Sequence, residues 1–172
     1  MPYVKEIYYS LMGKEYFALA FPNLSGGYEL RNPYFKGVIG KKDLSLLLKR
    51  KGNSPEESEE ASTAVTVFEG FMDFLSALTF YQTAEAKTPV IVLNSVHLKD
   101  RAVEKIREIG FAKVYLYLDR DSAGRKIQND FRKDAISRIL QQLGVGVTII
   151  DKSELYDGYK DFNEFLVKRK PS

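Results

Sequence analysis

The chain has 172 residues, 44% of them hydrophobic and 13% aromatic, with 26 basic and 23 acidic side chains and a net charge of +3, enough apolar material for one good core and a small appended lobe. Having no cysteine, it can form no disulfide, zinc ribbon, thiolate cluster or cysteine nucleophile. Met1-Pro2-Tyr3-Val4-Lys5-Glu6 lacks the basic start and apolar stretch of a signal peptide, and the apolar runs are too short to cross a bilayer, so a cytoplasmic location without membrane partners is expected.

Charge is unevenly spread. Residues 1–52 carry 9 basic and 4 acidic groups, residues 53–100 carry 2 and 8, and residues 101–172 carry 15 and 11. A basic front beside an acidic centre suits a metal-dependent enzyme acting on a polyanion, and equally suits solvated faces of both signs.

In chain order, residues 1–52 are expected to form a small β-rich lobe. Aromatic-rich segments at Lys5–Ser10, Tyr16–Ala20, Tyr28–Arg31 and Phe35–Ile39 are separated by turn formers, the spacing of an antiparallel sheet. The run Asp43–Leu48 is ambiguous between strand and short helix. Residues 53–62, polar and acidic, read as a linker or surface loop. From 63 to 172 the pattern becomes α/β. Apolar β-branched runs at Val65–Phe68, Val90–Leu93, Lys113–Leu118 and Val145–Ile150 alternate with helical stretches at Met72–Tyr81, Asp100–Ile109 and Ala123–Leu143. Gly110 and Gly144 fall where the last two helices would be capped, and Asp161–Lys168 reads as a short terminal helix. Strands this continuously apolar are expected to be buried on both faces, in a four-stranded parallel sheet flanked by helices.

Three carboxylates fall where two of those strands stop: Glu69 after Val65–Phe68, and Asp119 and Asp121 after Val114–Leu118. The carboxyl ends of strands in open α/β sheets border the crevice that binds ligands. Two carboxylates about 5 Å apart repel by roughly 3 kcal/mol at an effective dielectric near 20, so the set asks for a divalent cation or a shared proton. Alternate residues on an extended strand end point the same way, so Asp119 and Asp121 can reach one ion. Hard oxygen donors favour Mg²⁺ or Mn²⁺ over zinc. Asp73, one turn into the following helix, is either an outer ligand of that ion or a charge favoured at a helix N-terminus.

The segments Val65-Thr66-Val67-Phe68-Glu69-Gly70-Phe71-Met72-Asp73, Leu116-Tyr117-Leu118-Asp119-Arg120-Asp121-Ser122-Ala123-Gly124-Arg125 and Tyr159-Lys160-Asp161-Phe162-Asn163-Glu164-Phe165-Leu166 occur in that order. Together they resemble the Toprim domain over roughly residues 63 to 170, and its primase branch most closely. The segments around Phe17–Asn23, Gly26–Arg31 and Tyr34–Gly37 resemble the region preceding Toprim in primase-like proteins of bacterial mobile elements. The resemblance implies a Rossmann-like fold in which Asp119 and Asp121 bind the metal. Glu69 would join the metal shell or act as general acid or base. Gly70 would let the backbone approach phosphate, and Gly124 would permit a tight turn into the next helix. Arg120, Arg125, Lys126, Lys160 and Asp161 would line the nucleotide or nucleic-acid site. Arg31, Lys36, Lys41 and Lys42, with Tyr28, Tyr34 and Phe35, would offer single-stranded DNA a charged, stacking surface, or would simply be hairpin packing.

The expected activity is Mg²⁺-dependent synthesis of RNA primers from ribonucleotides on single-stranded DNA, in replication or mobilisation of a mobile element, with a helicase or relaxase as partner. Such relatives usually carry an upstream zinc-binding domain, so the chain is expected to be a piece of a longer protein or a stand-alone variant. Two alternatives stay open: a Toprim nuclease or topoisomerase-type phosphodiester cleavage, and a non-catalytic Toprim that binds DNA or proteins. His97, the only histidine, follows the second strand and reads as a packing or polar contact.

Overall fold

A computed structural model describes residues 3–48, 63–120 and 147–169. The described residues form two sheets. The front sheet is antiparallel, in the order β1 (Lys5–Leu11), β2 (Lys14–Pro22), β3 (Tyr28–Arg31), β4 (Lys36–Ile39). The main sheet runs β5 (Ser45–Leu47), β7 (Val90–Val92), β6 (Ala64–Phe68), β8 (Lys113–Tyr117), β9 (Thr148–Asp151). Its last four strands are mutually parallel, as the apolar runs predict, and β5 is added antiparallel at the edge of β7. The ambiguous run at Asp43–Leu48 is therefore a strand, and it belongs to the main sheet.

Alternation on β6 and β8 builds the core on both faces of that sheet. Phe68 and Tyr117 point to one side, where they meet Phe71, Phe74 and Leu78 of α1 (Phe71–Phe80) and Phe162 of α3 (Phe162–Lys168). Val65, Val67, Val114 and Leu116 point to the other, against Ala102 and Ile106 of α2 (Lys99–Ile109). Gly110 caps α2 in the left-handed conformation, φ 83°, where a Cβ would be strained. The predicted helix at Ala123–Leu143, the linker at 53–62 and Gly144 lie outside the described residues. Among those described, no helix is long and apolar enough to cross a membrane.

The two sheets share one core. Phe21 of β2 is fully buried and stacks on Phe71 at 5.1 Å with the rings 3° from parallel, and it meets Phe74 edge-on at 6.0 Å. Asp43, 2% exposed, is held by Arg101 of α2 through two contacts of 2.7 and 2.8 Å, and accepts from Ser25 Oγ at 2.6 Å. A Phe→Ala change at such a position removes about 3–5 kcal/mol. Phe21→Ala is expected to lower stability by that amount and to loosen both sheets in one transition. Urea denaturation followed by hydrogen exchange checks this; a front sheet that unfolds alone while the main sheet keeps its stability would refute it.

Candidate functional site

The chain turns sharply at the carboxyl rim of the main sheet. Glu69 directly follows β6, Asn94 follows β7 and Asp119 follows β8. Backbone bonds fix the rim: Glu69 N donates to Tyr117 O at 3.3 Å and Asn94 N to Glu69 O at 2.9 Å. The Glu69 carboxylate is turned toward Asp119, accepting from the Asp119 N–H at 3.2 Å. Asn94 has φ 60°, a left-handed conformation that asparagine tolerates better than most residues. Its Nδ2 donates to Asp43 O and Ser45 Oγ at 2.9 and 3.0 Å, while its buried Oδ1 has no partner among the described residues.

Two further carboxylates come from helices. Gly70 is the extended N-cap of α1, and a Cβ there would lie 3.0 Å from Asp73 Oδ2, so glycine leaves room for the Asp73 carboxyl one turn on. Asp73 is 7% exposed and accepts from Asn163 N at 3.0 Å. Asp161 is the N-cap of α3, accepting from Glu164 N at 2.7 Å, while Glu164 reaches back to Lys160 N at 2.6 Å, a variant of the capping box. Helix α3 is seated on α1 by Phe80–Phe162 and Phe80–Phe165 ring contacts at 5.5 and 5.6 Å and by Ser76 Oγ donating to Asn163 Oδ1 at 2.9 Å. This docking brings the third motif to the first.

Together these groups line a cleft of about 280 Å³, whose walls include Glu69, Gly70, Asp73, Asp119, Lys160 and Asp161. The front sheet also lines it, through Glu29, Arg31 and Lys36. The lining thus joins four carboxylates, Gly70 and Lys160 from the three sequence motifs to three charged residues of the front lobe. Glu29, 4% exposed, was not among the sequence candidates, nor were Asn94, Ser95 and Asn163, which also line the cleft. Arg120 is directed elsewhere: it pairs with Asp157 at 2.7 Å and donates to Ser153 O at 3.0 Å, and its backbone N–H donates to Lys160 O. Tyr28 lies three residues from Arg31 on β3, hence on the opposite face of that strand. His97 is exposed in a short 3₁₀ turn at Val96–Leu98. Asp121, Gly124, Arg125 and Lys126 lie outside the described residues.

The carboxyls perturb one another. Burial, then the charges of Glu69, Asp73 and Asp161, push Asp119 up to about 8. Burial, then Asp161, push Asp73 up to about 7, against the opposing Asn163 N–H. Glu29 is also raised, chiefly by burial. Oxygen donors are the chemistry that hard divalent cations take, but among the described residues no three acidic or imidazole groups form a cluster that could hold an ion.

Over residues 66–166 the sequence matches the Toprim-like family, more than half of its length. The chain belongs to the Toprim-like family. Residues 1–40 match a second family, described as a domain of unknown function, DUF8464. No curated protein matches. Among solved structures, the primase fragment of the bacteriophage T7 primase-helicase protein is similar with a TM-score of 0.56 at 18% identity, over 92% of this chain and 60% of that one. A chain from the bacteriophage T7 lagging-strand DNA polymerase interacting with primase domains bound to an RNA/DNA hybrid and dTTP is similar at 0.55 and 17%, over 92% and 74%. This Toprim-like chain therefore spans less than two thirds of the T7 primase fragment. The likeness shows a shared fold, and it extends across the front sheet as well as the Toprim-like region.

Carboxyls raised in the folded state hold protons that the unfolded chain has already released, so without divalent cations stability is expected to fall as pH rises from about 5 to 8. Asp73→Asn keeps the acceptor for Asn163 N and removes the charge. It should flatten that slope and raise stability at pH 8 by on the order of 1–3 kcal/mol. Thermal melts in chelator across this pH range test it, and an unchanged slope in the variant would contradict the assignment.

Proposed function

We propose that this Toprim-like chain is the catalytic module of a primase-type nucleotidyltransferase, which uses Mg²⁺ or Mn²⁺ to make RNA primers on single-stranded DNA during replication or mobilisation of a mobile element. One observation carries this reading: a single cleft is lined by the strand-end acids Glu69 and Asp119 together with Arg31 and Lys36 of the front sheet. That pairing matches a substrate that is itself a polyanion accompanied by a cation.

Asp119 and Asp121 would hold the cation, with Glu69 and Asp73 beside it. When bound, the cation supplies charge neutralisation at the phosphates of the incoming nucleotide. Glu69, oriented by the Asp119 N–H, takes the proton from the 3′-hydroxyl as that oxygen bonds to the α-phosphorus and the bond to pyrophosphate breaks. Arg31, Lys36 and Lys160 hold phosphate oxygens by charge-assisted hydrogen bonds. Gly70 keeps the wall open beside Asp73. Arg125, Lys126 and Gly124, which lie outside the described residues, are assigned to contacts with the nucleotide or template, and Asp161 would orient the Lys160 segment. An upstream zinc-binding domain and a helicase or relaxase would complete the working protein.

The test is primer synthesis by the full-length protein on single-stranded DNA with ribonucleotides and Mg²⁺. Asp119→Ala and Glu69→Gln should each lower the rate by roughly 10² or more, with melting temperatures at least as high as wild type because repulsion is relieved. Nicking of DNA in the absence of nucleotides would favour the nuclease reading instead. DNA binding with neither activity would leave a non-catalytic role.

A further inference from the structure

Register places more than the cleft wall on one face of the front sheet. Glu6 pairs with Leu19, Leu19 with Arg31 and Arg31 with Lys36, so these four form one row across the strands. Side chains two apart on a strand share a face. The row on one side is therefore Phe21 and Glu29, which reach the shared core and the cleft. The row on the other side is Tyr8 paired with Phe17. These two rings lie 6.4 Å apart, tilted by 38°, and are 75% and 47% exposed. Neither belongs to a core cluster. The second aromatic pair of the same strands, Tyr9 and Tyr16, faces the other way, with Tyr9 against the small cluster of Ala18, Ala20 and Leu30.

Two adjacent exposed rings form a platform that begins one row beyond Arg31 and Lys36, the basic residues of the cleft. Flat apolar faces next to fixed cations are what a single-stranded nucleic acid needs, because every base presents a π-face while its backbone needs positive charge. Glu6, bonded to the Tyr8 hydroxyl at 3.3 Å, and Glu15, one row further out, put negative charge on the β1 side and at the far end. They leave the β2–β4 side as the route for a polyanion.

We propose that single-stranded DNA leaves the cleft past Lys36 and Arg31 and stacks its bases on Phe17 and Tyr8. This deepens the function proposed above and rests on its nucleic-acid reading. The sequence grouped Tyr28, Tyr34 and Phe35 with the basic residues; of these Tyr28 lies on the opposite face of β3 from Arg31, and the pair proposed here adds two rings outside that group.

The test is the affinity of the full chain for a fluorescent oligothymidylate, by anisotropy in chelator and without nucleotides, so that the carboxylates play no catalytic part. Tyr8→Ala/Phe17→Ala together should weaken binding roughly tenfold or more, Tyr8→Phe should bind as wild type, and Tyr16→Ala, on the opposite face, should change it little. Circular dichroism melts accompany each variant. No binding by the wild type, full affinity in the double variant, or an equal loss in Tyr16→Ala would overturn the proposal. Ring-dependent binding by a protein that makes no primer would keep this inference and remove the primase reading. Primer synthesis with ring-independent binding would do the reverse.

Discussion

Crowded negative charge is the constraint around which this molecule is arranged. Glu69, Asp73, Asp119 and Asp161 come from two strand ends and two helix starts, and nothing in the core requires acids at those places. Their repulsion is met locally. Each of three carboxylates accepts a backbone N–H: Glu69 from Asp119, Asp73 from Asn163, Asp161 from Glu164. Such donors favour the ionised form, yet burial and like charge outweigh the Asn163 N–H at Asp73 and also raise Asp119, so that both hold protons into the neutral range. A scaffold that keeps these groups together must be stiff, and the main sheet is packed on both faces by separate apolar clusters.

The front sheet is part of that scaffold. Phe21 enters the core of the main sheet by stacking on Phe71, the first residue of the helix that carries Asp73. On the other side of the main sheet, Asp43 is tied to Arg101 of α2 and, through its carbonyl, to Asn94 at the rim. A buried carboxylate held by an arginine adds little net stability, but removing either partner strands the other. The pair therefore fixes where β5 meets the rim. One face of β3 then presents Glu29 and Arg31, with Lys36 of β4 beside them, to the acids.

Much of this was legible in the sequence because it is local. The β-branched runs before Glu69 and Asp119, the positive-φ glycine at 110 and the Asp161 N-cap each carry their signal within a few residues, and the structure places strands, a cap and a helix there. The Leu-rich run at 44–48 was ambiguous because its period fits strand and buried helix alike; its identity is decided by β7, some 45 residues further on. Glu29 escaped notice for a related reason. Alternation in Tyr28-Glu29-Leu30-Arg31 says that Glu29 and Arg31 share a face, but only the packing of the two sheets says that this face looks into the cleft. The same alternation already separated Tyr28 from Arg31, although composition alone grouped them.

Electrostatics explains why acids and bases share this cleft. The lining holds Glu29, Glu69, Asp73, Asp119 and Asp161 against Arg31, Lys36 and Lys160. With every acid ionised the wall would be net negative and would repel phosphate. With Asp119 protonated and Asp73 partly so at neutral pH, the opposing charges come close to balance. A divalent cation bound as proposed would reach the same balance by another route: its two charges would offset the two that the displaced protons leave behind. The raised acids thus keep a space of about 280 Å³ from carrying the net negative charge that a wall of fully ionised acids would turn against a phosphate.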